Sequence, residues 1–251
     1  MTPPGSPLHE TLIDGVLTLW LDRPAARNAL NMALCDALRQ AAAQATDQTN
    51  IHMVLIRARG AVFCAGADLK ERQGMDEAAV RARRQNAFAA YAAIESIPKP
   101  VVAVVEGAAV GSGVEIAAAC DFIVATPSAS FRTPEALWGT VGATQRLPRI
   151  LGKRLAKDLM FTGRTLSAQE ALLYGFVTRL IPADTLESAL HEMTQRIVTA
   201  PAKSLALAKR CIDQGIEQSP QTALQIELQA IEENLAGADW RRQIDTFGKA
   251  S

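Results

Sequence analysis

The alternation of apolar and polar positions divides the chain into short strands and amphipathic helices. Leu8 to Ile13 and Val16 to Leu21 flank Asp14-Gly15, a pair suited to a type I′ turn, so the chain opens on a predicted β-hairpin. Asn31 is placed to cap a helix from Met32 to about Ala45, with Leu34, Leu38, Ala41 and Ala42 on one face. Val54 to Ala58 reads as a strand, and Gly60 to Lys70 as a strand end breaking into a loop of small residues. Asp76 to about Ser96 is helical, with Arg81, Arg83 and Arg84 expected on a solvated face, and Pro98 and Pro100 end it. The apolar run Val101 to Val105 predicts a strand buried on both faces. Gly107 and Gly111-Ser112-Gly113 lead from it into an alanine-rich helix, and Phe122 to Ala125 forms a second apolar run after Asp121.

Beyond Glu135 the stretch Leu137 to Leu151 reads as irregular, and Lys153 to Phe161 as a helix. Ser167-Ala168-Gln169-Glu170 is a capping box opening a short helix that Gly175 stops, and Phe176 to Ile181 is a strand or an extended segment. Helices then run from Asp184 to Thr199, from Pro201 to about Ile216, and from Pro220 to near Gly237. This order predicts an α/β core over residues 1–182, with right-handed crossovers and a largely parallel sheet, and a helical region over 183–251.

Composition narrows the functions available. The 251 residues are 49% hydrophobic, enough for a sizeable core, and 26 basic residues balance 26 acidic ones. Zero net charge argues against nucleic acid or an anionic membrane surface as the main partner, and an anionic ligand then needs a local cationic cluster. No apolar run is long enough to span a bilayer, and the Pro/Gly-rich start, Met1 to Pro7, lacks the apolar core of a signal peptide. Cys35, Cys64, Cys120 and Cys211 are scattered without CxxC spacing, as expected of reduced thiols in a cytoplasmic protein. His9, His52 and His191 sit near element ends with no motif around them, so neither a metal site nor a histidine-based triad is indicated.

Three features could carry chemistry. Ala65-Gly66-Ala67-Asp68 and Gly111-Ser112-Gly113 each expose main-chain N–H groups where a strand ends, and two such donors aimed at one oxygen form an oxyanion hole. Glu115 lies in the first turn of an otherwise apolar helix, and Glu135 follows Pro134. Two neighbouring carboxyls do not both ionise easily, so one can donate a proton while the other accepts. Such parts suit addition of water to a double bond conjugated with a carbonyl. Each also has a plainer reading: tight packing for the glycines, a helix start for Glu135, and an arginine-paired structural group for Glu115.

At these residues the sequence resembles the crotonase superfamily, most of all its enoyl-CoA hydratases. The shared motifs are Leu21-Asp22-Arg23-Pro24 with Asn28-Ala29-Leu30, Phe63 to Leu69, Lys99-Pro100-Val101 with Gly107, Gly111 to Glu115, Cys120-Asp121, Pro134-Glu135, Thr144-Gln145-Arg146-Leu147 and Thr162-Gly163, and the likeness extends to about Phe247. The resemblance implies a spiral of ββα units with a C-terminal helical trimerisation region, as a homotrimer or a hexamer built from two trimers. It implies an acyl-CoA thioester substrate and no separate cofactor. Ala67 and Ser112 would supply the oxyanion-hole amides, and Glu115 and Glu135 would hold the water that adds syn to a trans-2-enoyl-CoA. Ala26, Arg27, Ala65, Gly66, Asp68, Leu69, Gly111, Gly113, Pro134 and Gly142 would contact substrate, with Arg23, Arg27, Lys70 and Arg72 near the nucleotide phosphates.

Four departures from the family pattern bear on this. Ser112 replaces a common glycine and would be strained at positive φ. Arg132 could pair with a glutamate or an acidic acyl group. The loop from Gly139 to Thr144 is shorter than in the usual hydratases, and the usual Lys-Arg ending after Phe247 is missing. Double-bond isomerisation using one glutamate, and acyl-CoA binding without catalysis, therefore stay open beside hydration.

Overall fold

A computed structural model describes residues 5–237 and 240–241 of the chain; the C-terminal departure after Phe247 lies outside them. The hairpin pairs β1 (Leu8–Ile13) with β2 (Val16–Leu21) from Leu8 opposite Leu21 to Ile13 opposite Val16. Asp14 and Gly15 take φ of 49° and 80°, the double left-handed geometry of a type I′ turn. Helix α1 (Met32–Asp47) is capped by Asn31, whose side chain accepts the Leu34 N–H at 3.0 Å. Its buried stripe is Leu34, Cys35, Leu38, Ala41, Ala42 and Ala45.

The chain then repeats one unit. β3 (Met53–Ala58) and β4 (Val62–Cys64) precede α2 (Leu69–Arg72) and α3 (Glu77–Glu95). β5 (Val101–Val105) and β6 (Ala108–Val110) precede α4 (Ser112–Ala118), and β7 (Phe122–Ala125) and β8 (Ser130–Arg132) precede α5 (Arg146–Thr162). After them come β9 (Leu166–Ser167), α6 (Ala168–Leu173), β10 (Arg179–Leu180), α7 (Leu186–Val198), α8 (Ala202–Gly215) and α9 (Pro220–Leu235). In each unit the first strand joins a six-stranded sheet, ordered β1-β2-β3-β5-β7-β10, and the second joins a four-stranded sheet, ordered β4-β6-β8-β9. Among the described residues only β1/β2 and β8/β9 are antiparallel.

Burial follows this winding. All of β5 is buried, as its unbroken apolar run predicts. Val101, Ala103 and Val105 face the main core, while Val102 and Val104 meet Leu186, Leu190 and Met193 of α7 on the opposite face. The small sheet is the part that periodicity does not reveal, because its strands are two or three residues long.

Three expectations change. The irregular stretch ends early, since α5 starts at Arg146 and is broken at Gly152, with φ 72° and ψ 153°. Pro148 sits in its first turn, where a missing N–H costs nothing, so a proline and a glycine disguise a helix. Of the extended segment from Phe176 to Ile181, only β10 pairs as a strand. The arginines of α3 do not share one solvated face: Arg81 is exposed, but Arg83 is buried, with Nε donating to Glu71 Oε2 at 2.9 Å and an amino group on the Leu30 carbonyl.

Candidate active site

The small sheet brings the two glycine turns together. Cys64 of β4 pairs with Ala109 of β6 in parallel register, so the strands end side by side and Ala67 and Ser112 each lie three residues further on. Ala67 forms a parallel bridge with Leu30. That bridge uses the Leu30 N–H to the Gly66 carbonyl, 2.8 Å, and the Asp68 N–H to the Leu30 carbonyl, 2.9 Å, leaving the Ala67 N–H directed to the other side. Ser112 is the first residue of α4, where N–H groups have no partner within the helix. The positive φ belongs to Gly111, at 51°, and Ser112 has none, so the expected strain at the serine is absent. Gly113 faces Cys64 rather than the cleft, since a Cβ on it would stand 2.5 Å from the Cys64 carbonyl oxygen.

Glu115 and Glu135 arrive from different segments and differ in environment. Glu115, 5% exposed, projects from the first turn of α4. Its Oε1 accepts the Ala143 N–H at 2.7 Å, and its Oε2 accepts from Arg146 at 3.2 Å. Arg146 also donates to both oxygens of Glu95, at 3.3 and 2.7 Å, with its guanidinium 5.7 Å from the centre of the Tyr91 ring. Glu115 thus has the arginine partner that a structural glutamate needs. Glu135 opens a 3₁₀ turn, Glu135–Trp138, and its Oε2 is buried with no hydrogen-bond partner. Burial pushes the Glu135 carboxyl above the ordinary carboxylate range, and the Glu115 charge adds to this, against a pull from its own N–H and from Arg84.

A cleft of about 1040 Å³ joins these groups. Ala67, Ser112, Glu115 and Glu135 line it, as do Ala26, Arg27, Ala65, Gly66, Asp68, Leu69, Gly111, Pro134 and Gly142. At one end Arg23 is committed to Asp68 at 2.9 Å and to the Ala29 carbonyl. Although burial pushes the Asp68 carboxyl up, Arg23 and the Glu71 and Lys70 amides bring it below the usual carboxylate range. Asn28 holds this loop from beneath, with its side chain accepting the Arg23 N–H at 2.8 Å and donating to the Arg59 and Val62 carbonyls at 2.9 and 2.7 Å. Arg132 reaches neither glutamate, because its Nε donates to the Gly163 carbonyl. No cluster of three or more His, Cys, Asp or Glu side chains placed to hold a metal ion forms among the described residues.

The family model Enoyl-CoA hydratase/isomerase matches residues 12–249. The chain belongs to that family. It is 34% identical over 247 residues to the enoyl-CoA isomerase/hydratase fer4 of Mycosarcoma maydis, covering 94% of this chain and 90% of the relative. It is 36% identical over 234 residues to the human enoyl-CoA hydratase domain-containing protein 2, mitochondrial, covering 90% and 80%. Its fold matches a crystal structure of enoyl-CoA hydratase from Bacillus anthracis with a TM-score of 0.94 at 35% identity, covering 97% and 96% of the two chains. The ββα winding is therefore the crotonase-like fold of this family.

Sequence reasoning missed two residues that line the cleft and one behind it that pairs with Glu115. Tyr91 is buried, lines the cleft together with Ser112 and lies within the field of Glu115. Arg146 was recognised as part of a motif but not as the partner of Glu115. Arg84 lines the cleft from α3. The spacing of Val80, Arg84, Ala87, Phe88 and Tyr91, about one helical turn apart, is the signal that could have marked a wall of the cleft.

Proposed function

We propose that the protein hydrates a trans-2-enoyl-CoA. The observation that carries this reading is the unequal pair of glutamates in one cleft: Glu115 accepts hydrogen bonds on both oxygens, whereas Glu135 holds a buried, unpartnered oxygen and a carboxyl that resists ionisation. The thioester oxygen would lie against the Ala67 and Ser112 amides. Glu115 takes a proton from water as the water oxygen bonds to the β-carbon, and the electron pair moves onto the thioester oxygen. Glu135 then gives its proton to the α-carbon, and a proton returns from Glu115 to Glu135. Each amide donor contributes about 2.7–4 kcal/mol to the enolate-like transition state. Loss of the conjugated absorbance of crotonyl-CoA and longer enoyl-CoAs measures the reaction. Glu115→Gln and Glu135→Gln should each abolish most of it, and full activity in either variant defeats the two-carboxyl mechanism.

The Arg146–Glu115 ion pair favours a second reading, double-bond isomerisation by Glu135 alone. Deuterium exchange at the α-carbon with no hydrated product would select it. We also infer self-association through α8 and α9, supported by the exposed Ile212, Ile216, Leu224 and Ile231 around an apolar groove of about 940 Å³. Sedimentation that returns a monomer would dismiss it.

A further inference from the structure

The short loop over residues 139–143 touches both glutamates. Its Ala143 N–H donates to Glu115 Oε1 at 2.7 Å. Gly142 lies against Glu135, so that a Cβ there would meet Glu135 Cγ at 3.2 Å. The loop's own sequence does little to fix this placement. Gly139 and Ala143 both take left-handed φ, 67° and 54°, and Val141 is 67% exposed. Within the chain's backbone the segment is tied back by Gly139 N–H to the Ala136 carbonyl, 3.3 Å, and Thr140 N–H to the Glu135 carbonyl, 3.0 Å. Both ties lie at its start.

The later part is gripped from across the cleft. Arg84 extends from α3, with one amino group donating to the Val141 carbonyl and the other to the Thr140 hydroxyl. Neither partner is charged, and Glu135 is the carboxyl whose ionisation the Arg84 charge favours. The planar guanidinium suits a two-point hold, which an ammonium cannot reproduce. α3 is a firm base for it, because Ala87, Ala90, Tyr91 and Ile94 of the same helix are buried in the main core.

We propose that Arg84 is a positioning residue: it clamps the loop over residues 139–143 and so sets the placement of Glu115 and Glu135 for the hydration inferred above, on which this role in catalysis rests. A residue that acts through another group in this way changes turnover more than binding, since misplacing catalytic groups by about 1 Å can cost on the order of a hundredfold in rate.

The test compares wild type with Arg84→Met and Arg84→Lys by hydrogen exchange of the loop peptide and by steady-state hydration of crotonyl-CoA. In Arg84→Met the loop amides should exchange at least about tenfold faster, since two charge-assisted hydrogen bonds are lost. Its kcat should fall at least about tenfold with KM within about twofold, and Arg84→Lys, which keeps the charge but not the planar two-point geometry, should recover part of kcat. Unchanged loop exchange in Arg84→Met overturns the clamp. A raised KM with unchanged kcat also overturns it, by making Arg84 a substrate contact. Should wild type hydrate no enoyl-CoA, the hydratase reading falls, while the exchange comparison still decides whether Arg84 holds the loop.

Discussion

Glu135 Oε1 comes so close to Gly111 that a Cβ on the glycine would stand 2.6 Å from it. The carboxyl and the turn leading into Ser112 are therefore packed as one unit, and Gly111 also has φ 51° and ψ −107°, a conformation costly for any other residue. Gly111→Ala should lower stability by about 1–3 kcal/mol from backbone strain alone. It should also displace the Glu135 carboxyl and remove most enoyl-CoA turnover. Urea melts and hydration assays on the same preparation check both effects.

The two ends of the Arg146 bridge should differ in weight. Arg146→Met leaves Glu115, 7% exposed in its side chain, with only the Ala143 amide, and a buried carboxylate that loses its cation costs about 3 kcal/mol. Glu95→Gln removes a partner whose side chain is 51% exposed, a change of less than about 1 kcal/mol. Denaturation midpoints of the two variants provide the comparison.

Glu135 predicts a pH dependence of definite sign. Its folded carboxyl is raised above the ordinary 4.5, chiefly by burial and then by the Glu115 charge. The folded protein therefore keeps a proton that the unfolded chain releases. This contribution to stability is complete below pH 4.5 and is lost as pH rises through the raised value. Glu135→Gln cannot ionise, so it should gain stability relative to wild type as pH rises across that window, as urea midpoints measured against pH would show. Asp68 acts in the opposite direction, its contribution being lost as pH falls below 3.8 through the depressed value. If hydration proceeds as proposed, kcat should fall on the alkaline side as Glu135 loses the proton it would donate.

Among the described residues, Arg27, Lys70 and Arg72 line the cleft without an ion pair, whereas Arg23 is bound to Asp68. Replacing Lys70 or Arg72 by Met should raise KM for an enoyl-CoA about fivefold, equivalent to about 1 kcal/mol, and leave kcat near wild type. The penalty should shrink at high salt and vanish for a pantetheine thioester without the nucleotide. Arg23→Met should instead lower stability, because it leaves the buried Asp68 without its cation. Kinetics with the two thioesters separate these outcomes.

Most elements were legible in the chain because local chemistry specifies them. Asp14-Gly15 sets the hairpin, Asn31 and Ser167 cap their helices, and Val101 to Val105 has the unbroken apolar run of a strand buried on both sides. The family motifs likewise pointed to Ala67, Ser112, Glu115 and Glu135, four residues that line one cleft. The small sheet, the start of α5 and the side of α3 that Arg83 and Arg84 occupy were not legible. Strands of two or three residues carry no period, and a first-turn proline looks the same as a loop proline.

The sequence alone determined which groups are present: two acids, two glycine turns, a neutral overall charge and an alternation of longer strands and helices. Tertiary structure alone decided how those groups are paired. Arg146 rather than Arg132 meets Glu115, Glu135 is left with an unpartnered oxygen, and Arg84 crosses the cleft to hold the loop. Helix periodicity ranks positions by face, but the partner of a long, flexible arginine depends on which carboxylates and carbonyls the packed neighbours bring within its reach. That is settled only when the separate segments come together.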